Sequence, residues 1–335
     1  MKLVVTGAAG FIGMHTALRL LDAGHEVVGI DNLSDYYDVG LKRDRLKLLQ
    51  PHDGFRFELL DIADANAVKR LVGAERPDRL VHLAAQPGVR YSLSHPMAYV
   101  NSNLTGFVAV LEACRHYQVP HLVYASSSSV YGNNPRVPFS EHDPVDHPLS
   151  LYAATKRANE LMAHSYAHLH ALPVTGLRFF TVYGPWGRPD MAPVKFAQAI
   201  SQGRTIELYN HGQHRRDFTF VDDIVAGVVA VAMNDGTVQE SSPPPGSDPA
   251  SSAAPFRIYN LGRGQPVALM DFLAALEAEL GVTAQFEKVA AQPGDVLDTW
   301  ADCADLERDF GYRPATSLRD GVASFVRWFR AYYQR

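Results

Sequence analysis

Tyr152 and Lys156 stand four residues apart in Ser150-Leu151-Tyr152-Ala153-Ala154-Thr155-Lys156, a spacing that puts both side chains on one face of a helix. A free phenol titrates at about pH 10 and is a poor base at neutral pH, but a neighbouring ammonium favours the phenolate and lowers that value. The pair reads as a proton acceptor with its electrostatic partner; the alternative is an exposed tyrosine beside a surface lysine. Upstream, Tyr124-Ala125-Ser126-Ser127-Ser128-Ser129 ends an apolar run in hydroxyls. At the carboxyl edge of a parallel sheet, where ligands bind, Ser127 could bond a reacting oxygen and relay its proton to Tyr152. Four serines in a row also fit a plain polar turn.

A second constellation opens the chain. Thr6-Gly7-Ala8-Ala9-Gly10-Phe11-Ile12-Gly13 follows one strand, and Asp31 ends the next, 18 residues beyond Gly13. Gly7 and Gly10 permit a tight turn and close approach of backbone to a diphosphate, Gly13 permits close packing of helix on strand, and the helix N-terminus attracts the anion. Alone, the glycines fit an ordinary strand-to-helix turn. Asp31 sharpens the reading, because its carboxylate can accept from both adenosine ribose hydroxyls and repels a 2′-phosphate, which favours NAD over NADP. Asp61 and Ile62, after the third strand, could bracket adenine, and Leu83-Ala84-Ala85-Gln86, after the fourth, offers mostly small side chains where a cofactor passes close. With Phe11, Ile12 and Asn32 these form the expected cofactor cradle, which Tyr152 and Lys156 complete.

These residues need a scaffold. Apolar, β-branched runs at 2–6, 26–30, 55–59, 78–83, 121–125 and 173–178 alternate with helical patterns near 11–23, 41–49, 64–72, 97–117 and 150–170. That alternation predicts a Rossmann-type, doubly wound parallel α/β sheet. Beyond Arg178 the pattern loosens, with helices at 221–234, 269–281 and 317–333 and short strands near 206–208, 256–260 and 284–287, predicting a smaller C-terminal α/β substrate lobe. The expected division is 1–180 with a returning segment of about 215–262 for the dinucleotide, and 181–214 with 263–335 for the substrate. Residues 236–255, rich in Pro, Ser, Gly and Ala, read as a flexible insertion.

Composition excludes several classes. The 335 residues are 47% hydrophobic and 20% charged with a formal net charge of −5, so no basic excess points to nucleic acid or an anionic membrane. Two unrelated cysteines, Cys114 and Cys303, argue against a disulfide framework or a thiolate metal site. No signal core and no run of about 18 apolar residues is evident. A cytoplasmic protein without a metal is expected.

Together the glycine turn, Asp31, the serine run and Tyr152/Lys156 resemble the extended short-chain dehydrogenases/reductases, in particular their NAD-dependent nucleotide-sugar epimerases and dehydratases. Two later stretches, Arg178-Phe179-Phe180-Thr181-Val182-Tyr183-Gly184-Pro185-Trp186-Gly187-Arg188-Pro189-Asp190-Met191 and His82-Leu83-Ala84-Ala85-Gln86-Pro87-Gly88-Val89-Arg90-Tyr91-Ser92, look like those of the UDP-glucuronate 4-epimerases. The resemblance implies an isomerase that converts UDP-glucuronate to UDP-galacturonate through a 4-keto intermediate, with Tyr152, Lys156 and Ser127 as catalytic residues. NAD, regenerated in each turnover, would act as a bound catalyst. It further implies that Arg188 holds the sugar carboxylate, with hydroxyl donors from Thr181, Ser127, Ser128 and Ser129, and with Arg90 as a second anion contact.

For the nucleotide, the resemblance assigns Arg216 to the diphosphate, Asp295 to the uridine ribose and Tyr209 to uracil. Related galactose epimerases usually carry Asn at the place of Thr181 and Tyr at that of Thr299. Related dehydratases place Asp-Glu after the catalytic hydroxyl and related decarboxylases a Glu two positions on, where this chain has Ser128 and Ser129. A UDP-galactose/UDP-glucose 4-epimerase is the alternative, followed by a UDP-glucuronate decarboxylase and a non-catalytic dinucleotide sensor. Family habit also implies a homodimer through helices 97–117 and 150–170.

Overall fold

The computed structural model describes residues 1–234, 248–291 and 298–333. Strands β1 (Lys2–Thr6), β2 (Glu26–Asp31), β3 (Phe55–Leu59), β4 (Arg79–His82), β5 (Leu122–Ser127) and β6 (Val174–Phe179) join Phe256–Leu261 in one seven-stranded sheet. Its order runs Phe256–Leu261, β6, β5, β4, β1, β2, β3, and every neighbouring pair is parallel. The order reverses between β1 and β4, so the carboxyl ends of those two strands open the crevice where such sheets bind ligands.

Both faces are covered, as an all-parallel sheet requires. Leu3 and Val5 of β1 enter one buried cluster while Val4 enters the other, the two-residue alternation of a strand. Side-chain caps start several of the covering helices. Asp38 accepts from Gly40 N at 2.8 Å, Asp64 from Ala67 N at 2.9 Å and Ser150 from Ala153 N at 3.1 Å, each satisfying an amide that the first helical turn leaves unpaired.

One expected helix differs. The stretch 97–117 is divided into Pro96–Tyr99, a π-helical segment Val100–Thr105 and Gly106–Tyr117. The wider π turn aims Asn103 away from the regular helical faces. Its Oδ1 accepts from Gln86 N at 2.8 Å, and its Nδ2 donates to Gln86 O at 3.1 Å and to the Thr155 hydroxyl at 3.0 Å. The side chain thereby ties the loop after β4 to helix Leu151–His170.

That helix is tied to the sheet by charge as well. Glu160, fully buried, takes the Arg178 guanidinium of β6 through Nε at 2.9 Å and Nη2 at 3.0 Å, and accepts from the Ser126 hydroxyl of β5 at 2.6 Å. Arg178 also donates to the Tyr131 hydroxyl at 3.0 Å, which donates to Asn260 at 2.6 Å. A buried ion pair with its remaining hydrogen bonds met fixes geometry more than it adds stability; here it sets the helix one turn beyond Lys156.

The rest of the chain builds small sheets beside the large one. Ile206–Leu208 pairs with Phe286–Lys288, Thr181–Tyr183 with Phe218–Phe220, and Arg215–Arg216 lies between Val267–Ala268 and Asp298–Thr299. Helices Ala192–Ser201 and Ala304–Phe310 were not anticipated. Of the insertion expected at 236–255, residues 236–247 lie outside the described ones. Residues 248–255 are packed, with Ala250 and Ser251 buried and Asp248 accepting from Ser251 at 2.6 Å, so this part is no free loop.

Candidate active site

The glycine turn sits at the carboxyl end of β1. Gly7 has φ +74°, and a Cβ there would lie 2.8 Å from the backbone nitrogen of Ala84. At Gly13 a Cβ would lie 2.0 Å from the Gly7 carbonyl oxygen. Helix Phe11–Asp22 starts at Gly10 with no side-chain cap, so backbone amides face outward at a positive helix end. These features fit the diphosphate of a dinucleotide, and the carboxylate at the end of β2 fits its ribose.

Asp31 is buried and accepts from Ala9 N at 3.2 Å and Leu33 N at 2.8 Å. Lys42, also buried, brings its ammonium to 3.9 Å from Asp31; burial pushes the lysine pKa down while Asp31 opposes that shift. Sequence reasoning missed Lys42, since no spacing links it to Asp31. Asn32 donates to Asp61 at 2.9 Å, joining the ends of β2 and β3, and Ile62 is buried against Gly106. Phe11 is buried and Ile12 half-buried on the first helix turn. Leu83, Ala84 and Ala85 line the crevice half-buried, with Ala84 N donating to the Thr6 hydroxyl at 3.1 Å, and Gln86 is buried.

Across the crevice, β5 ends at Ser127, whose hydroxyl donates to Ser129 at 3.1 Å and accepts from the Ser129 amide at 3.1 Å. Ser128 is half-buried beside them. Ser127 also bonds the Tyr152 phenol and lowers its pKa, as does the charge of Arg188, yet burial outweighs both and leaves the phenol above its ordinary value. This corrects one expectation. Lys156 is not among the groups that lower Tyr152; its ammonium donates to the Ala125 carbonyl at 2.8 Å.

Burial pushes Lys156 down to about 8, with Glu160 working against it. Below about 8 folded and unfolded chains both carry the proton, whereas between about 8 and the unfolded value of 10.5 only the unfolded chain binds it, so this group makes stability rise with pH there. Urea midpoints of the ligand-free protein taken between pH 8 and 10 should climb relative to those of Lys156→Met. Parallel profiles for the two proteins would show that the lysine is not held in this strained state.

Arg188, from the sequence stretch after Thr181–Tyr183, pairs with Asp190 through Nε at 3.0 Å and Nη2 at 2.5 Å. Thr181 is half-buried, its amide donating to Asp217 O at 3.1 Å. Arg90 stacks its guanidinium over the Tyr209 ring at 4.6 Å, bringing together two residues read separately in the sequence. Arg216 bonds the Arg215 carbonyl at 3.1 Å, while Arg215 is an exposed partner of Asp298 at 2.7 Å. Asp295 lies outside the described residues. Among the described residues no group of His, Cys, Asp and Glu is arranged to hold a metal, and no helix is long and apolar enough to cross a membrane.

Residues 3–242 match the NAD dependent epimerase/dehydratase family. A probable UDP-glucuronate 4-epimerase of Rhizobium meliloti (strain 1021) is 47% identical over 336 residues, covering 100% of this chain and 98% of the relative. One of the UDP-glucuronate 4-epimerases of Arabidopsis thaliana is 46% identical over 339 residues, covering 100% and 77% respectively. The crystal structure of UDP-glucuronic acid 4-epimerase from Bacillus cereus in complex with UDP-glucuronic acid and NAD superposes with a TM-score of 0.88 at 31% identity, covering 99% of this chain and 100% of that one. The glycine turn, the acidic end of β2 and the tyrosine over the crevice thus sit in a chain that belongs to the NAD dependent epimerase/dehydratase family.

Proposed function

We propose that this chain inverts C4 of a UDP-hexuronic acid, interconverting UDP-glucuronate and UDP-galacturonate, with tightly held NAD. The observation that carries the reading is the convergence of Ser127, Tyr152 and the Arg188 charge at one end of the crevice whose other end is the glycine turn. Bound NAD supplies a reversible two-electron acceptor for the sugar C4 and a positive charge that favours the phenolate. Ser127 hydrogen-bonds the C4 oxygen, and Tyr152 takes its proton and later returns it to the opposite configuration. Lys156 holds the cofactor ribose and stays cationic near neutral pH. Gly7, Gly10, Phe11, Ile12 and Gly13 seat the diphosphate, Asp31 and Asn32 the ribose, Asp61 and Ile62 the adenine, and Leu83 to Gln86 the passage between.

The 4-keto uronic acid is a β-keto acid, which loses carbon dioxide when the bond to the carboxylate aligns with the carbonyl π system. Arg188, with hydroxyls from Thr181, Ser128 and Ser129, holds the carboxylate out of that alignment. Arg216 and Asp295 take the diphosphate and uridine ribose, and Arg90 and Tyr209 frame the uracil end. One observation favours the neutral-sugar alternative: Asp190 already neutralises Arg188.

Residues 1–180 with about 215–262 form the cofactor part and 181–214 with 263–335 the substrate part. The seven-stranded sheet, drawn wholly from the first set, supports this, although Arg215–Arg216 pairs with strands of the second. The chain works as a cytoplasmic homodimer. Val108, Leu161 and Leu169, 37%, 55% and 70% exposed on helices Gly106–Tyr117 and Leu151–His170, supply the apolar face that a second copy would cover. Incubation with UDP-glucuronate and no added dinucleotide tests the activity. A product of unchanged mass co-eluting with UDP-galacturonate supports it; a product lighter by carbon dioxide, or turnover of UDP-glucose alone, overturns it.

A further inference from the structure

The pairing of Arg188 with Asp190 bears on how the site selects its sugar. Asp190 takes the Nε and Nη2 side of the guanidinium, and the Tyr36 hydroxyl donates to the same carboxylate at 3.0 Å. Arg188 and Asp190 are 22% and 23% exposed, so the ion pair is largely shielded. A guanidinium offers two edges for bidentate contact, and this carboxylate covers only one. The other edge, Nη1 with Nη2, is not the one taken by Asp190, and the arginine also hydrogen-bonds the Tyr36 hydroxyl. The Arg188 charge is felt by the phenols of Tyr152 and Tyr99, whose rings meet edge to face at 6.1 Å. A run of rings, Tyr36 to Tyr91 at 4.8 Å, Tyr91 to Tyr99 at 6.3 Å and Tyr99 to Tyr152 at 6.1 Å, joins the Asp190 clamp to the reacting end of the crevice.

The clamp is itself held. Arg45, fully buried, donates to the Trp186 carbonyl at 2.7 Å, and Trp186 packs on Trp328 and Tyr332 with ring centroids at 5.6 and 5.1 Å. Tyr36 packs on Tyr91 at 4.8 Å, and a Cβ at Gly88 would lie 2.5 Å from its hydroxyl. Two loops from different parts of the chain thus meet at one carboxylate.

We propose that Asp190, backed by Tyr36, is a positioning residue that locks the plane of Arg188 so that its Nη1–Nη2 edge is presented to the substrate carboxylate, making the arginine a selector of uronic over neutral sugars. The inference rests on the uronic-acid reading above. Its rival is that Asp190 stands in for the substrate carboxylate and must be displaced by it. Displacement would strip a shielded carboxylate of its guanidinium and leave it the Tyr36 hydroxyl and a backbone amide, with no counter-charge, which is costly. Simple charge counting, by contrast, says that removing Asp190 should strengthen anion binding, so the two ideas predict opposite signs.

The test uses the dinucleotide-loaded enzyme, Asp190→Asn and Tyr36→Phe. Calorimetric titration with UDP-glucuronate and UDP-glucose is set beside KM and kcat for UDP-glucuronate. Asp190→Asn should weaken UDP-glucuronate binding and raise its KM roughly tenfold, leaving UDP-glucose binding within about twofold. Tyr36→Phe keeps the ring packing and should shift the same ratio in the same direction by less. Tighter UDP-glucuronate binding by Asp190→Asn would overturn the proposal in favour of the stand-in. Equal loss for both sugars, or no change for either, would overturn it too. A wild-type enzyme that does not distinguish the two sugars would remove the uronic-acid reading itself, and that result appears before any variant is made.

Discussion

Tyr152→Phe should lower kcat on UDP-glucuronate by roughly 10²- to 10⁴-fold, the range that a positioned acid-base group supplies. Phenylalanine keeps the ring that meets Tyr99 edge to face at 6.1 Å and removes only the oxygen that bonds Ser127. KM and dinucleotide content should therefore stay close to wild type, with the loss confined to the chemical step. Steady-state rates beside the absorbance of the bound dinucleotide separate these effects. A loss below tenfold would mean that another group takes the proton.

Arg188→Ala carries the second large effect, an expected fall in kcat/KM for UDP-glucuronate of roughly 10²-fold or more, the cost of removing one member of a shielded charge pair. Two consequences should travel together. The substrate carboxylate loses its guanidinium, so part of the flux should escape as a product lighter by carbon dioxide. Tyr152 also loses a charge that lowers its pKa, so the acidic limb of the pH–rate profile should move to higher pH. UDP-glucose binding should change little. Since the substitution leaves Asp190 shielded without its counter-charge, Arg188→Lys, which keeps the charge and loses the fork, is the companion variant. An unchanged preference for UDP-glucuronate in both variants would remove Arg188 from substrate recognition.

What was legible in the sequence was whatever is local in the chain. Strands β1 and β3 have the bounds expected of them, and Gly7, Gly10 and Gly13 declare themselves because a turn with so little room tolerates no Cβ. Tyr152 and Lys156 are one helical turn apart and were found by spacing. What spacing hides is any partner brought by the fold. Lys42 reaches Asp31, Asp190 meets Tyr36 from 154 residues away, and Glu160 meets Arg178 through adjoining elements, and none of these pairs has a signature in one sequence. The π turn at Val100–Thr105 was invisible for a different reason, since no spacing within the segment signals a widened turn and the partners of Asn103, Gln86 and Thr155, are brought to it by the fold.

The shift of Tyr152 was also misjudged from sequence. Spacing shows that Lys156 is near but not that its ammonium donates to the Ala125 carbonyl at 2.8 Å. Among the side chains of the protein, the groups that lower the phenol are Ser127 and Arg188. If Arg188 holds the substrate carboxylate as proposed, acid-base chemistry and substrate recognition share one arginine, a coupling that neither motif discloses alone.

In the proposed reaction C4 is oxidised and reduced again within one bound complex, so the hydrogen on that carbon never leaves the site. The direct measurement uses UDP-glucuronate carrying deuterium at C4, with unlabelled dinucleotide in the solution and the product analysed by NMR and mass spectrometry. The expected product is UDP-galacturonate with deuterium still on C4, now on the opposite face. Loss of the label to solvent or to free dinucleotide would contradict it.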